Sequence, residues 1–442
     1  MKIQPAEYLR GVIELPGDKS ISHRSAIFSA MADGETLISN FATSADCAST
    51  LACIEKLGVG IVRDGSEIII TGVGKNGFTK PSTELDCGNS GTTMRLLSGV
   101  LAGQGFDSVM IGDESLSKRP MKRVIDPLQS MGVEIAATNN HAPLKIYGKN
   151  PLRASVHELK VASAQIKSCL LLAGLNADGE TSVIERTPTR DHTERMLRWL
   201  GADLREEDFD GGKKLTISGK ATLTARDISV PADISSAAFF LVAAACLTGS
   251  EIVLPNVGYN ASRRAIIDVL QRFGADITVS DKREVCNEPV ATLTVKGGLR
   301  QTAGANLLNG PIIANLIDEI PILAIFATQL KNGMEIRDAA ELRVKESDRI
   351  SAVVENLHRM NADVEEFPDG FRIGRSNLKG AVVDSFGDHR IAMAFAVAGL
   401  FADGETEIID ADCAAVSFPE FFDTFGKCSA NFSLPNQPGR KS

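Results

Sequence analysis

The sequence predicts an α/β fold made of six copies of one unit, divided into two domains of three copies. Three observations support this prediction: a glycine turn repeats along the chain, a glycine or asparagine ends an amphipathic helix in most copies, and a strongly apolar helix precedes each turn. Such regular repetition indicates a fold assembled from equivalent supersecondary units.

The repeated turn is clearest as Asp-Gly-Glu-Thr at residues 33–36, 178–181 and 403–406. The spacing between successive turns is about 70 to 85 residues, enough for several strands and helices per copy. Looser versions bring the number of turn glycines to six, at Gly34, Gly105, Gly179, Gly249, Gly333 and Gly404.

The second mark is the residue that follows an amphipathic helix. Glycine and asparagine tolerate the left-handed conformation that commonly ends helices. The sixth copy, at Gly426, is degenerate, and the other five end at Gly58, Gly132, Gly201, Gly274 and Asn361.

The third mark is a helix that is apolar nearly all round, as expected when a helix is buried on every side. Parallel strands need helical crossovers, so each copy is interpreted as an α/β unit. We expect the joint between the domains near the polar stretch 225–231, and a flexible polar tail at 434–442. The six apolar helices are predicted at 26–32, 96–102, 169–175, 237–247, 320–328 and 391–401.

The composition excludes several classes of partner. With 47 basic and 56 acidic residues the net charge is −9, which disfavours binding to nucleic acid or to an anionic membrane. The apolar runs are too short to span a membrane, and the first residues lack the apolar core of a signal peptide. The eight cysteines form no CxxC pair, so we expect free thiols, no metal and a cytoplasmic location.

Residues that favour helix N-caps precede the six apolar helices. Capping alone would explain any one of them. However, Lys19, Arg24, Arg95 and Arg390 lie in or near first turns, where a cation opposes the helix dipole and an anion is favoured. Gly17 and Gly91 allow close backbone approach, although neither belongs to a nucleotide-binding motif. The six cap candidates are Asp18, Asn89, Ser163, Asp233, Asp318 and Asp388.

Further basic clusters occur in the loops 118–123, 190–192 and 343–349. Each could be a solvated charge run, but together they favour a site for substrates with several negative charges, since arginine forks match phosphate and carboxylate. Asp318, beside Glu319, and Glu346 are the candidate proton carriers, with a helix cap and a surface ion pair as the alternatives. A Ser–His–Asp triad is disfavoured because no nucleophile elbow is present.

The two longest motifs in the chain are Leu-Pro-Gly-Asp-Lys-Ser-Ile-Ser-His-Arg at 15–24 and Arg-Val-Lys-Glu-Ser-Asp-Arg at 343–349. Together with several shorter motifs, they resemble those of the 3-phosphoshikimate 1-carboxyvinyltransferase (EPSP synthase) family. The resemblance covers about residues 4–426 and includes shorter matches at 88–95, 119–121, 163–165, 318–319 and 387–390.

This resemblance implies a two-domain inside-out α/β barrel of six βαβαββ units, three per domain. The implied domains are 16–228, and 1–15 with 229–433. It also implies a shikimate-pathway transferase without metal or cofactor. The enolpyruvyl group of phosphoenolpyruvate would move to the 5-hydroxyl of shikimate 3-phosphate through a tetrahedral intermediate, with release of phosphate and with domain closure to exclude water. The implied partners are these two small molecules, and a monomer is the default.

The resemblance also implies roles for individual residues. Asp318 would accept the 5-hydroxyl proton, and Glu346 would protonate the methylene carbon. Lys19 would contact both substrates. The implied ligands of shikimate 3-phosphate are Lys19, Ser20, Arg24, Ser163, Gln165, Arg190 and Lys345. Those of phosphoenolpyruvate are Gly91, Arg119, Arg349 and Arg390.

Two positions depart from the common family pattern and resemble a second sequence class. Ala164 stands where many members have a second serine, and Val416 stands where a lysine is common. Some members of that class are glyphosate-tolerant and carry alanine where this chain has Gly91, so we hypothesise that this chain is sensitive.

Two rival interpretations remain. The sister transferase that acts on UDP-N-acetylglucosamine would have asparagine in place of Ser20 and a cysteine in a mobile loop, whereas Cys87 precedes a helix start. A catalytically inactive anion-binding module would be expected to lose Asp318 or Glu346.

Overall fold

The computed structural model describes residues 1–300, 304 and 306–428, so the predicted tail at 434–442 lies outside the described residues. The helices are α1 Lys19–Ala30, α2 Ala45–Lys56, α3 Gly91–Ala102, α4 Glu114–Ser117, α5 Lys122–Ser130, α6 Ala164–Gly174, α7 His192–Trp199, α8 Ile234–Cys246, α9 Ala265–Arg272, α10 Ile312–Leu316, α11 Ile320–Gln329, α12 Arg349–Arg359, α13 His389–Phe401 and α14 Phe421–Cys428. Two 3-10 helices occupy Ala340–Val344 and Ala411–Val416.

The strands are short, and most lie in hairpins or beside a buried helix. They are β1 Lys2–Ile3, β2 Arg10–Val12, β3 Asp33–Ser39, β4 Gly60–Asp64, β5 Glu67–Val73, β6 Leu85–Asp86, β7 Asp107–Ile111, β8 Glu134–Thr138, β9 His141–Tyr147, β10 Val156–Glu158, β11 Glu180–Glu185, β12 Leu204–Phe209, β13 Gly212–Ser218, β14 Ile228–Ser229, β15 Glu251–Gly258, β16 Asp276–Val285, β17 Glu288–Lys296, β18 Leu307–Leu308, β19 Met334–Ile336, β20 Val364–Phe367, β21 Gly370–Ile373, β22 Val382–Asp384 and β23 Thr406–Ile409.

Six of the helices form the centres of the repeated units: α1, α3, α6, α8, α11 and α13. Nearly every residue of α8 and α13 is buried, and the other four are buried over most of their length. The six predicted apolar helices are therefore confirmed as buried. The outer helices end as predicted in five copies, where Gly58, Gly132, Gly201, Gly274 and Asn361 all have positive φ. The degenerate sixth copy has Gly426 inside α14.

The strands of the described residues form six sheets that share one pattern. A short edge strand runs parallel to the strand after the central helix, and that strand is antiparallel to its other neighbour. The sheet β6-β7-β9-β8 encloses the order strand, helix, strand, helix, strand, strand along the chain. This order is the βαβαββ unit.

The first and fourth repeated copies exchange their first strands. The strand before α1, β2, pairs in parallel with β15 of the fourth copy. The strand before α8, β14, pairs in parallel with β3 of the first copy. In the sixth copy β1 takes the antiparallel place beside β23. These pairings make the N-terminal segment part of the sheets of the later copies.

The contacts within the chain define two compact units. The N-terminal unit comprises Gly17–Pro231 and Glu284–Glu288, and the C-terminal unit comprises Met1–Pro16, Ala232–Arg283 and, among the described residues, 289–428. Each unit has its own apolar core around its three central helices. The sequence did not predict that Glu284–Glu288 groups with the earlier copies. The domain bounds 16–228, and 1–15 with 229–433, stay a prediction for the functional domains.

Candidate active site

Four of the six predicted caps are confirmed at the starts of the central helices. Asp18, Ser163, Asp233 and Asp388 each accept a hydrogen bond from a backbone N–H in the first turn. These contacts satisfy helix donors that would otherwise lack a partner.

Two predicted caps are wrong. The cap of α3 is Ser90, whose Oγ accepts from the Thr93 N–H at 3.1 Å. Its neighbour Asn89 instead donates to Asp113 and accepts from Arg119. Asp318 lies two residues before the first residue of α11, and the N-cap position is occupied by Glu319. Pro321 in that first turn lacks one of the N–H groups that a capping side chain would accept from.

Arg24 is the best-enclosed cation of the predicted site in the N-terminal unit. It is 3% exposed, and its guanidinium donates to Thr193 Oγ1 at 2.8 Å, to Ser168 Oγ at 2.9 Å and to the Ser20 carbonyl at 2.8 Å. Burial lowers the pKa of Arg24 to about 10, with the nearby charge of Arg190 acting in the same direction. The side chain therefore remains a cation at neutral pH and lies near a second cation.

The other predicted ligands of this unit lie at the same helix starts. Lys19 opens α1, and its Nζ lies 2.9 Å from Asp46 Oδ2. Gln165 in the first turn of α6 accepts from Arg95 Nη1 at 2.7 Å and donates to Thr92 Oγ1 at 2.9 Å. These contacts connect α6 to α3 through polar side chains, and they hold Arg95 beside the start of α3.

Gly91 is the first residue of α3 and faces two guanidinium groups. A Cβ at this position would lie 2.8 Å from Arg95 Nη1 and 3.5 Å from Arg119 Nη1. Arg119 itself donates to Asn89 Oδ1 at 2.8 Å. A side chain at residue 91 would therefore fit only if Arg95 moved, so glycine allows these cations to lie close to the helix start.

In the C-terminal unit, Arg349 organises the predicted acid–base residues. It is 1% exposed, and its Nη2 donates to Glu346 Oε2 at 2.7 Å, while its Nη1 lies 3.6 Å from Asp318 Oδ1. Asp388 binds the other edge, through Arg349 Nε at 2.7 Å and Nη2 at 3.2 Å. The two predicted proton carriers therefore flank one guanidinium.

The charges around Arg349 determine its protonation. Burial lowers the pKa of Arg349, but Asp388, Glu346 and Asp318 outweigh it and hold the pKa above its usual value. For the carboxylate of Asp388 burial acts in the opposite direction and raises the pKa. The charge of Arg349 outweighs burial and keeps the pKa of Asp388 below its usual value. Both groups are therefore ionised at neutral pH.

Arg390 and Lys345 complete this cluster. Arg390 Nη1 donates to the Asp318 carbonyl at 2.7 Å, and its Nη2 lies 3.8 Å from Asp318 Oδ2. Burial lowers the pKa of Lys345, and the negative charge of Asp318 partly offsets that effect. All five residues predicted for this unit are linked through Asp318 or Arg349.

Sequence reasoning missed several residues that hold these groups. Asp388 was considered only as a cap, yet its carboxylate also binds Arg349. Ser168 and Thr193, which hold Arg24, gave no signal because they are 144 and 169 residues away from it along the chain. Within the described residues there is no cluster of His, Cys, Asp and Glu suited to a metal ion, and no helix has the length and apolarity needed to cross a membrane.

The cationic helix starts suit anionic ligands, and comparison with known proteins identifies the family of this chain. The family model for EPSP synthase (3-phosphoshikimate 1-carboxyvinyltransferase) matches residues 3–425. The chain belongs to this family, as the motifs predicted. The predicted family, enzyme class and enolpyruvyl transferase fold are thereby confirmed.

Individual relatives agree with the family match. The 3-phosphoshikimate 1-carboxyvinyltransferase of Salinibacter ruber is 50% identical, with 97% of this chain and 99% of the relative covered. That of Solibacter usitatus is 49% identical, over 96% and 98%. A solved structure of EPSP synthase from Acinetobacter baumannii has a TM-score of 0.86 and 42% identity, over 97% of this chain and 98% of the other.

Proposed function

We propose that Asp318 and Glu346 are the proton carriers of the enolpyruvyl transfer that this chain catalyses. In this shikimate-pathway reaction, which serves aromatic amino acid biosynthesis, the enolpyruvyl group of phosphoenolpyruvate moves to the 5-hydroxyl of shikimate 3-phosphate and phosphate leaves. The observation that carries the proposal is the position of both carboxylates against the buried Arg349 guanidinium.

In the addition step, Asp318 accepts the proton of the 5-hydroxyl group while the hydroxyl oxygen forms a bond to C2 of phosphoenolpyruvate. Glu346 donates a proton to C3, which becomes a methyl group in the tetrahedral intermediate. In the elimination step, the Glu346 carboxylate takes a proton back from the C3 methyl group, the C2–C3 double bond forms again, and the C2–O bond breaks so that phosphate leaves with the bonding electrons. Positioned acids and bases of this kind contribute about 10²–10⁴-fold to a rate.

The cations are assigned to the two anionic substrates. Arg24, Arg190, Ser163, Gln165 and Ser20 are proposed to bind shikimate 3-phosphate, together with Lys19 and Lys345. The support is the buried Arg24, whose three partners are neutral oxygens, so its positive charge remains available to a phosphate dianion.

Phosphoenolpyruvate is assigned to Arg119, Arg349, Arg390 and the backbone at Gly91, with Lys19 contacting both substrates. The fixed guanidinium groups would stabilise charge that develops on the donor as phosphate leaves, without rearrangement at that moment. Val416 stands where a lysine is common in the family, so this set lacks one cation that many members have.

The substrate assignment is tested by measuring phosphate release from phosphoenolpyruvate with each of two acceptors. We expect release with shikimate 3-phosphate and none above background with UDP-N-acetylglucosamine. Release with UDP-N-acetylglucosamine alone would identify the sister activity instead, and release with neither acceptor would favour a binding module. The relatives' names support the first outcome. The expectations of a monomer and of a cytoplasmic location remain predictions.

A further inference from the structure

A buried triad of charged side chains lies next to the residues that hold Arg24 in the N-terminal unit. Lys167 on α6 is fully buried, and its Nζ lies 3.0 Å from Glu185 Oε1 and 2.6 Å from Glu194 Oε1. The side chains of both glutamates are less than 5% exposed. Burial raises the pKa of Glu194, and the charge of Lys167 opposes that rise.

Such a triad is poorly explained by stability alone. Removing three charges from water costs several kcal/mol per ion, and apolar replacements of similar volume are often neutral or stabilising. Buried ionic groups are retained in some proteins because they fix one arrangement of the elements they join. The elements joined here are α6, through Lys167, and the first turn of α7, through Glu194.

The triad is next in sequence to the groups that hold Arg24. Ser168 follows Lys167 on α6, and Thr193 precedes Glu194 on α7. The two hydroxyls lie 2.6 Å apart, and each accepts a hydrogen bond from the Arg24 guanidinium. The ion bridge therefore joins the same two helix turns that hold this arginine.

Glu185 extends the same connection to the segment before α7. Its Oε2 accepts from the Thr189 backbone N–H at 3.2 Å and from Thr189 Oγ1 at 2.8 Å. Thr189 is the residue before Arg190, the other cation close to Arg24. The position of both proposed phosphate cations thus depends on carboxylates that Lys167 holds.

We propose that Lys167 is a positioning residue for shikimate 3-phosphate, which holds the α6 and α7 turns so that Arg24 and Arg190 face the 3-phosphate together. The proposal rests on the function assigned above to these two arginines. Lys167 itself does not touch the substrate. Its effect should be largest on the acceptor, because the triad adjoins the side chains that hold Arg24 and the segment before Arg190.

The test compares Lys167→Met with wild type in steady-state kinetics for both substrates. We expect the KM for shikimate 3-phosphate to rise at least about tenfold, which corresponds to the loss of one charge-assisted contact. The KM for phosphoenolpyruvate, measured at saturating acceptor, should change less than about twofold. Lys214→Met on β13, which breaks only a surface ion pair with Glu207, is the matched control.

A second variant separates positioning from folding. Lys167→Met leaves two buried glutamates without their cation, so the triple variant Lys167→Met/Glu185→Gln/Glu194→Gln removes all three charges together. It should melt closer to wild type than Lys167→Met and still show the raised KM for shikimate 3-phosphate. A triple variant with a wild-type KM for the acceptor, or a Lys167→Met enzyme in which both KM values rise equally, would overturn the proposal.

The function of Arg24 is tested separately by Arg24→Met. If that variant binds shikimate 3-phosphate as wild type does, the assignment of the phosphate site fails. If Arg24→Met weakens acceptor binding and folded Lys167→Met does not, the positioning role alone is wrong.

Discussion

Two buried arginines, one in each unit, are held by opposite kinds of partner. Arg24 donates to two hydroxyls and a carbonyl, whereas Arg349 is surrounded by the carboxylates of Asp388, Glu346 and Asp318. The pKa values move accordingly. Burial lowers that of Arg24 to about 10, while the carboxylates overcome burial and raise that of Arg349.

This difference shows how one residue type serves two purposes. A guanidinium whose hydrogen bonds go to neutral oxygens is suited to receive an anion. A guanidinium among carboxylates also orients those carboxylates, in addition to the contact with phosphoenolpyruvate that is proposed for Arg349. The first arrangement suits the phosphate of an acceptor, and the second suits an acid–base pair.

The largest expected effect is on the acid–base side. Asp318→Asn keeps the shape of the side chain but removes the proposed base, so kcat should fall by about 10²–10⁴-fold. The measurement is steady-state phosphate release, with the exposed surface variant Asp268→Asn as the control. Near-normal kcat in Asp318→Asn would exclude this residue as the base.

The two arginines should differ in their effect on stability. Arg349→Met leaves buried carboxylates without their cation and should lower the free energy of unfolding by about 3–5 kcal/mol. Arg24→Met leaves only neutral groups without their partner and should lower the free energy of unfolding by about 1–3 kcal/mol. Urea unfolding of the two variants measures this difference, and equal losses would show that the nature of the partners does not matter.

The third prediction concerns the space at Gly91. In Gly91→Ala the new methyl group would lie 2.8 Å from Arg95 Nη1, so Arg95 must move and the methyl group takes up space beside the helix start. We expect wild type to be inhibited by glyphosate and the variant to have an inhibition constant about tenfold higher, with a smaller rise in the KM for phosphoenolpyruvate.

The matched control for this effect is Gly105→Ala, because a Cβ at Gly105 would have open space around it. If glyphosate concentrations well above the KM for phosphoenolpyruvate leave wild-type turnover unaffected, the hypothesis of sensitivity is refuted.

The smallest expected effect is a pH dependence of stability in the N-terminal unit. Burial, followed by the charges of Lys19 and Arg24, lowers the pKa of His23 well below its usual value of 6.5. The unfolded chain therefore binds a proton below pH 6.5 that the folded chain does not, and stability falls as pH decreases from there. The loss is up to about 1.4 kcal/mol per pH unit.

His23→Gln should reduce the slope of stability against pH between pH 6.5 and 5. The control His358→Gln, at an exposed histidine, should leave the slope unchanged. Asp388, whose pKa is lowered, contributes in a different range, because its stabilisation is lost only as pH falls below about 4. An unchanged slope in His23→Gln would show that His23 is not the group responsible.

The sequence predicted the local features of the fold well. Helix caps at Asp18 and Asp233, left-handed ends at Gly58 and Asn361, and the burial of apolar helices depend on neighbouring residues, so their patterns are visible in the chain. The exchange of β2 and β14 between sheets could not be predicted from spacing alone, since both strands are short and resemble the others.

The candidate site was less visible, because its contacts connect distant residues. Motifs indicated Arg24 and Arg349, but not that hydroxyls hold the first and Asp388 the second. The Lys167 triad gave no signal, because a lysine in an otherwise apolar helix does not show which glutamates it meets. The cap predicted at Asp318 was wrong because α11 begins two residues later, after Glu319, and the Asp318 carboxylate instead lies near Arg349 and Arg390.

The most direct test of this comparison is a crystal structure of the protein with shikimate 3-phosphate bound. We expect the 3-phosphate oxygens to lie within hydrogen-bond distance of the Arg24 guanidinium, and Arg349 to keep its contacts with Glu346 and Asp388. A 3-phosphate bound to Arg349 or Arg390 instead, with Arg24 still occupied only by Ser168 and Thr193, would contradict it.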